Sequence, residues 1–136
     1  MTREQFIKRL LEVFGEDTGD DFLNGLENGW LEFEDKLYHE DEINRKNIAR
    51  IIHMYLLKVK GISDLHDISK AGELRDLYDC RVCANHVAQV YLRDIMSAKE
   101  LSVNGGFLWF DLNGEDDSAA IEDYLIGAYG ITMNAQ

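Results

Sequence analysis

An all-α domain is the fold predicted for this 136-residue chain, and three features predict it. Apolar residues recur at helical spacing through most of its length. Proline is absent, so no helix interior meets the residue that breaks it. Cap residues and glycines bracket the periodic segments, as helix starts and stops require.

The first helix is expected over residues 2–14, where Phe6, Leu10, Val13 and Phe14 share one side of the wheel and Ile7 lies at its edge. Thr2 and Gln5 fit the capping-box spacing, and Gly15 is a suitable stop. A shorter helix is expected over 18–29, around Phe22, Leu23 and Leu26. The clearest pattern covers 44–60, where Ile48, Ile51, Ile52, Tyr55, Leu56 and Val59 form one stripe between Asn44 as cap and Gly61 as stop. A short turn at 70–76 and a helix over about 78–95 follow. The segment "LSVNGGFLWFDLNG" is strand-like, and its Asn104-Gly105 pair suits a tight turn. At most one short β-hairpin or extended arm near 103–110 is therefore expected. A last helix is predicted from Asp117 to Tyr129 on Ala120, Ile121, Tyr124, Leu125 and Ala128.

A chain of this length can bury a real core without metal or disulfide staples. Its 26 acidic and 14 basic side chains give a net charge of −12. A field of that sign repels nucleic acid and anionic membrane, so neither is expected as a partner. No apolar run is long enough to insert in a membrane, and the N-terminal stretch does not read as a signal peptide. The cytoplasm is the expected location for the chain as written, and the cell surface if it is cut from a longer precursor.

"YDCRVCANHVAQVYL", residues 78–92, places Cys80 and Cys83 three apart and His86 three further on. On a continuous helix both sulfurs fall within the apolar arc, beside Val87 and Tyr91, with His86 at its margin. A structural zinc site needs four ligands, and a thioredoxin-like pair needs a preceding strand in a βαβ unit. Neither is legible here, so packed free thiols are expected, which also suits a reducing compartment. Metal or thiol chemistry by Cys80, Cys83 and His86 stands as the alternative. His39, His53 and His66 lack ligand spacing, and His53 falls on the polar side of its own helix.

Asp111, Asn113, Glu115 and Glu122 match part of a calcium-loop register, but Asp116 stands where that loop needs glycine. Acidic residues at a helix start are explained by its dipole. "EFEDKLYHEDE" is expected to be a solvated acidic loop. Trp30, Trp109, Phe107 and Phe110 are expected in core or hairpin packing, with a binding surface as the other use. No triad pattern, phosphate loop or zinc-protease motif is present, so an enzyme activity is unsupported without being excluded, and no cofactor is expected.

"TREQFIKRLLEVFG" at 2–15 and "NRKNIARIIHMYLLKVKG" at 44–61 look alike, each opening with a cap residue and an arginine and closing on glycine. Their starts lie 42 residues apart, a repeat-like spacing. The chain resembles the S-layer homology family, whose repeats carry a "TRAE"-type helix start, an "F-x-D-(I/V)" turn and a second helix ending in "GIM". Here "LHDIS" at 65–69 resembles the turn and "HVAQVYLRDIM" at 86–96 the second helix. The resemblance implies a compact bundle of repeated helical pairs in one domain, 1–136, with units of about 1–38, 39–96 and 97–136.

It further implies a noncatalytic binding module that takes an anionic polysaccharide, or a protein partner, in grooves. The motif arginines would be Arg3 and Arg45, and Trp30 is expected to line the groove. The chain departs from the family at three points. Asp117-Ser118 stands where a third arginine belongs, Asp94 replaces the glycine before "IM", and the second-helix tryptophan has no counterpart.

Overall fold

The computed structural model describes residues 1–16, 19, 21–101 and 106–134. Among them six α-helices follow in order: α1 (Arg3–Val13), α2 (Asp21–Asn28), α3 (Phe33–Leu37), α4 (Arg45–Lys58), α5 (Ala84–Leu92) and α6 (Ser118–Asn134). Two 3-10 turns, Ser69–Glu73 and Leu77–Asp79, separate α4 from α5. Strands β1 (Lys99–Leu101) and β2 (Phe107–Trp109) lie between α5 and α6. They pair antiparallel, with Glu100 opposite Leu108. The described chain is therefore mostly helical with one small two-stranded sheet.

The helix ends follow from local chemistry. Thr2 Oγ1 accepts from the Gln5 N–H at 3.1 Å while Gln5 Oε1 accepts from the Thr2 N–H at 2.9 Å, closing the expected capping box. Gly15 adopts φ +71°, and the Glu16 N–H reaches back to the Leu11 carbonyl at 2.9 Å. That is a Schellman stop, which favours a residue without Cβ. Asn44 Oδ1 accepts from the Asn47 N–H at 3.1 Å and starts α4. At the end of α5 the same Schellman geometry recurs around Asp94, at φ +59°, with Ile95 N–H on the Val90 carbonyl at 2.9 Å. Asp94 thus holds a left-handed backbone at a steric cost that glycine would not bear.

α4 is the central element and packs most extensively against α5. Its Ile48, Ile51, Ile52, Tyr55 and Leu56 are buried, together with Phe6, Ile7, Leu10 and Leu11 of α1 and Ile121 and Leu125 of α6. The Tyr55 ring lies 4.9 Å from both the Phe14 and Trp30 rings. Burying side chains of this size contributes roughly 1.5–3 kcal/mol each, which is why the apolar stripe predicts the interior well.

α1 and α4 are anchored alike. The first two N–H groups of α1, on Arg3 and Glu4, donate to the Asp41 and His39 carbonyls at 2.9 and 3.0 Å. Those of α4, on Arg45 and Lys46, donate to Gly114 and Leu112, both at 2.9 Å. Each start is thereby tied to a distant loop.

Several expectations need correction. The predicted acidic loop contains α3, whose start is set by Asp35 Oδ2 accepting from the Glu32 N–H at 2.9 Å. Five residues are too few for a 3.6-residue period to show. The predicted helix over 78–95 begins only at Ala84. Asp76 draws the preceding segment toward the sheet by accepting from the Phe110 and Asp111 N–H groups at 2.7 and 2.8 Å. Cys80 and Cys83 were expected as packed free thiols; instead they form a disulfide and are half-buried. α6 runs five residues beyond the predicted Tyr129. The Asn104-Gly105 turn lies outside the described residues.

Two stability measurements check this account. Asp94→Gly should relieve the left-handed backbone and raise stability by roughly 1 kcal/mol in urea unfolding. Arg45→Met should cost about 3–5 kcal/mol and lower the Tm by on the order of 10 °C or more, because it strands a mostly buried carboxylate. Arg45 Nη1 is bonded to Asp116, and its Nε and Nη2 donate to the Phe110 and Ser97 carbonyls at 2.7 and 2.6 Å.

Candidate functional site

The cleft that gathers most of the sequence's chemistry has a volume of about 460 Å³ and opens between the starts of α1 and α4, α3, and the Cys80–Cys83 turn. Its base is a carboxylate that water does not reach. Asp35 is fully buried and binds Arg50 in a fork, with Nη1 on Oδ2 at 2.9 Å and Nη2 on Oδ1 at 2.6 Å. Arg3 Nη1 adds a third charged contact to Oδ1 at 3.0 Å. A buried carboxylate persists only with such partners, and two guanidiniums satisfy it.

Two cationic groups in the cleft retain capacity. Arg3 Nε is buried without a hydrogen-bond partner among the described residues. Lys46, half-buried on the next turn of wall, forms no ion pair among them. Glu32 and Glu34 also line the cleft, with Glu34 3.5 Å from Arg50 and 3.8 Å from Arg3. The cleft therefore carries charges of both signs, interleaved around Arg3 and Arg50.

Cys80 and Cys83 form the rim. Cys83 occupies the N-cap of α5, and Val82 between them is exposed. Cys80 also lines a second cleft of about 220 Å³, with Lys46, Asp79 and Trp109, so it stands on the ridge between the two. Metal ligation would require both cysteines as thiolates, the form the disulfide removes. Among the described residues no group of three or more His, Cys, Asp or Glu is placed to hold a metal. Of the partial calcium register, Asp111 is bonded to Lys99 and Glu122 to Arg9.

Behind the disulfide runs a hydrogen-bonded chain of three side chains. Asp64 Oδ1 lies 2.6 Å from His53 Nε2, and His53 Nδ1 lies 2.7 Å from His86 Nδ1. Asn85 Nδ2 donates to the other Asp64 oxygen at 3.1 Å. Burial raises the Asp64 carboxyl, but the His53 and Asn85 hydrogen bonds outweigh it and hold it below the ordinary value. Burial, reinforced by the charges of His53 and Arg50, pushes His86 down to about 4. His86 lines the cleft, whereas His53 is buried despite lying on the polar side of α4, because α5 covers it.

The structure separates the residues singled out in the sequence. Arg3, Cys80, Cys83 and His86 meet in one cleft. Arg45 does not join them: it is 1% exposed, its Cζ lies 4.5 Å from the Phe110 ring centroid, and four of its five N–H donors are bonded to protein acceptors. Trp30 is 4% exposed and borders a separate cavity of about 180 Å³ with Tyr55 and Leu11. Lys46, Arg50, His53 and Asp64 were missed. One signal was present: Asn47, Arg50 and His53, spaced three apart, make a polar line along a helix that is otherwise apolar.

Compared with protein-family models, curated protein sequences and solved structures, the chain matches none of them.

Proposed function

We propose that this chain is a binding module of repeated helical pairs, as in the S-layer homology family it resembles, and that its ligand presents an anionic group to the 460 Å³ cleft. The observation that carries this reading is the pair of uncommitted donors there: the buried Arg3 Nε without a partner and the unpaired Lys46 ammonium. A buried donor left unsatisfied costs about 1–3 kcal/mol, which an incoming oxygen acceptor would recover. Uronic acid, pyruvyl or phosphate groups of a cell-wall polysaccharide supply such acceptors, and so does an acidic side chain of a protein partner. Arg3 serves as the motif predicts. Lys46 takes the part expected of Arg45, which is buried with four of its five N–H donors bonded inside the protein. The binding role requires no reacting group.

The test is titration calorimetry with an acidic cell-wall polysaccharide, comparing the wild type with Lys46→Glu. Lys46 is half-buried and its side chain forms no hydrogen bond or ion pair among the described residues, so the variant should keep the wild-type Tm. Its affinity should fall at least tenfold, the loss of one charge-assisted hydrogen bond. Undiminished binding by Lys46→Glu would remove the cleft from the account.

A further inference from the structure

We infer that Cys80–Cys83 is a dithiol–disulfide exchange site, with the His86–His53–Asp64 chain as its proton acceptor and a dithiol as its electron donor. This activity is separate from anion binding and uses other side chains of the same cleft.

The crosslink is poorly explained as a staple. It spans a sequence separation of three, so it removes about the least chain entropy that a disulfide can. It lies half-buried on a rim, packed against the edge of the apolar core and not within it. The flanking Arg81 and Val82 are exposed, leaving the S–S bond approachable. Cys83 is the N-cap of the nine-residue α5, where unsatisfied N–H groups and the helix dipole favour a thiolate over a thiol.

The three-membered chain fixes where protons go. The Asp64 carboxylate can only accept, so His53 Nε2 carries a hydrogen. With His53 neutral, its Nδ1 accepts from His86 Nδ1–H, and His86 Nε2 is left as a bare acceptor. A proton taken at His86 Nε2 need not stay there. The hydrogen shared between the two Nδ1 atoms shifts to His53, and the resulting imidazolium sits beside Asp64. That matches the lowered proton affinity of His86, which burial and the neighbouring His53 and Arg50 impose, while Asp64 opposes them. The groups facing His86 are thus Arg50 and His53 from α4 and Asp64 from the following loop.

The exchange balances with a dithiol. One donor thiol gives its proton to His86 Nε2, and the thiolate attacks Cys80 Sγ, which is open to both clefts. The Cys80–Cys83 bond breaks, and its electron pair leaves on Cys83 Sγ at the start of α5, the sulfur best able to carry it. The second donor thiolate then attacks the donor's own sulfur in the mixed disulfide, releasing Cys80. Two electrons pass to the protein, the donor becomes a disulfide, and its two protons end on Cys80 and Cys83.

Stopped-flow reduction of the folded protein by dithiothreitol, followed by iodoacetamide trapping and mass measurement, tests this. The wild type should reduce fully, regain the bond in oxidised glutathione, and keep its far-UV circular dichroism throughout. His86→Gln should slow reduction at pH 7 by roughly tenfold or more. The deficit should vanish near pH 10, where the donor thiols are already ionised. Asp64→Asn, on a partly exposed loop, should show the same pH-selective loss and serves if His86→Gln fails to fold. A bond that yields only on unfolding would overturn the proposal, as would variants as fast as wild type at pH 7 or equally slow at both pH values. Because Lys46 takes no part, failure of anion binding and failure of exchange are distinguishable.

Discussion

Arginines held inside the molecule organise this fold. Arg45 and Arg50 project from adjacent turns of α4 to opposite sides, and each is buried against a carboxylate. Arg45 reaches Asp116 and the carbonyls of Phe110 and Ser97, linking α4 to the chain that follows β2 and to the segment before β1. Arg50 reaches Asp35, which also holds Arg3, linking α4 to α3 and α1. Idle donors on a buried guanidinium are costly, so Arg45 and Arg50 constrain the segments that supply their acceptors. Removing one partner is far costlier than the pair's net contribution to stability.

The cleft follows from that constraint. Asp35 and its two arginines occupy the space between α1, α3 and α4 with paired polar groups, so the wall there is charged and not apolar. The result is a concave, charged surface just where α1 and α4 begin. Because α5 covers the polar side of α4, His53 is drawn under it and meets His86. The Cys80–Cys83 turn then closes the rim. One helix, α4, thus supplies both Lys46 to the cleft wall and His53 to the hydrogen-bonded chain.

Helix starts use the same device twice, yet with opposite exposure. Arg3 and Arg45 occupy the same position in similar sequence stretches, and the backbones of both helices are anchored by carbonyls of a later loop. Arg45 is sealed by Phe110 and Tyr124, whose rings lie over its guanidinium at 4.5 and 5.9 Å. Arg3 has Tyr38 as its aromatic neighbour, at 5.9 Å, and lines the cleft. Aromatic cover thus seals Arg45 and leaves Arg3 on the cleft wall.

Local chemistry was sufficient for much of this. The capping box of α1, the Asn44 cap, the stops at Gly15 and Gly61 and the interior stripe of α4 are short-range preferences that act alike in any surroundings. The sequence by itself therefore determined a helical chain and most of its core. Three things were decided only by the tertiary structure. The helix expected through Cys80 was cut back because Asp76 answers two N–H groups some 35 residues away. The cysteines left the apolar arc as soon as that helix was gone. Asp35, Arg50, His53 and Asp64 came together because hydrogen-bond partners 11 to 33 residues distant were folded against them. Spacing along a chain records which residues share a helix face; it does not record which other segment covers that face, and burial of charge depends on the cover.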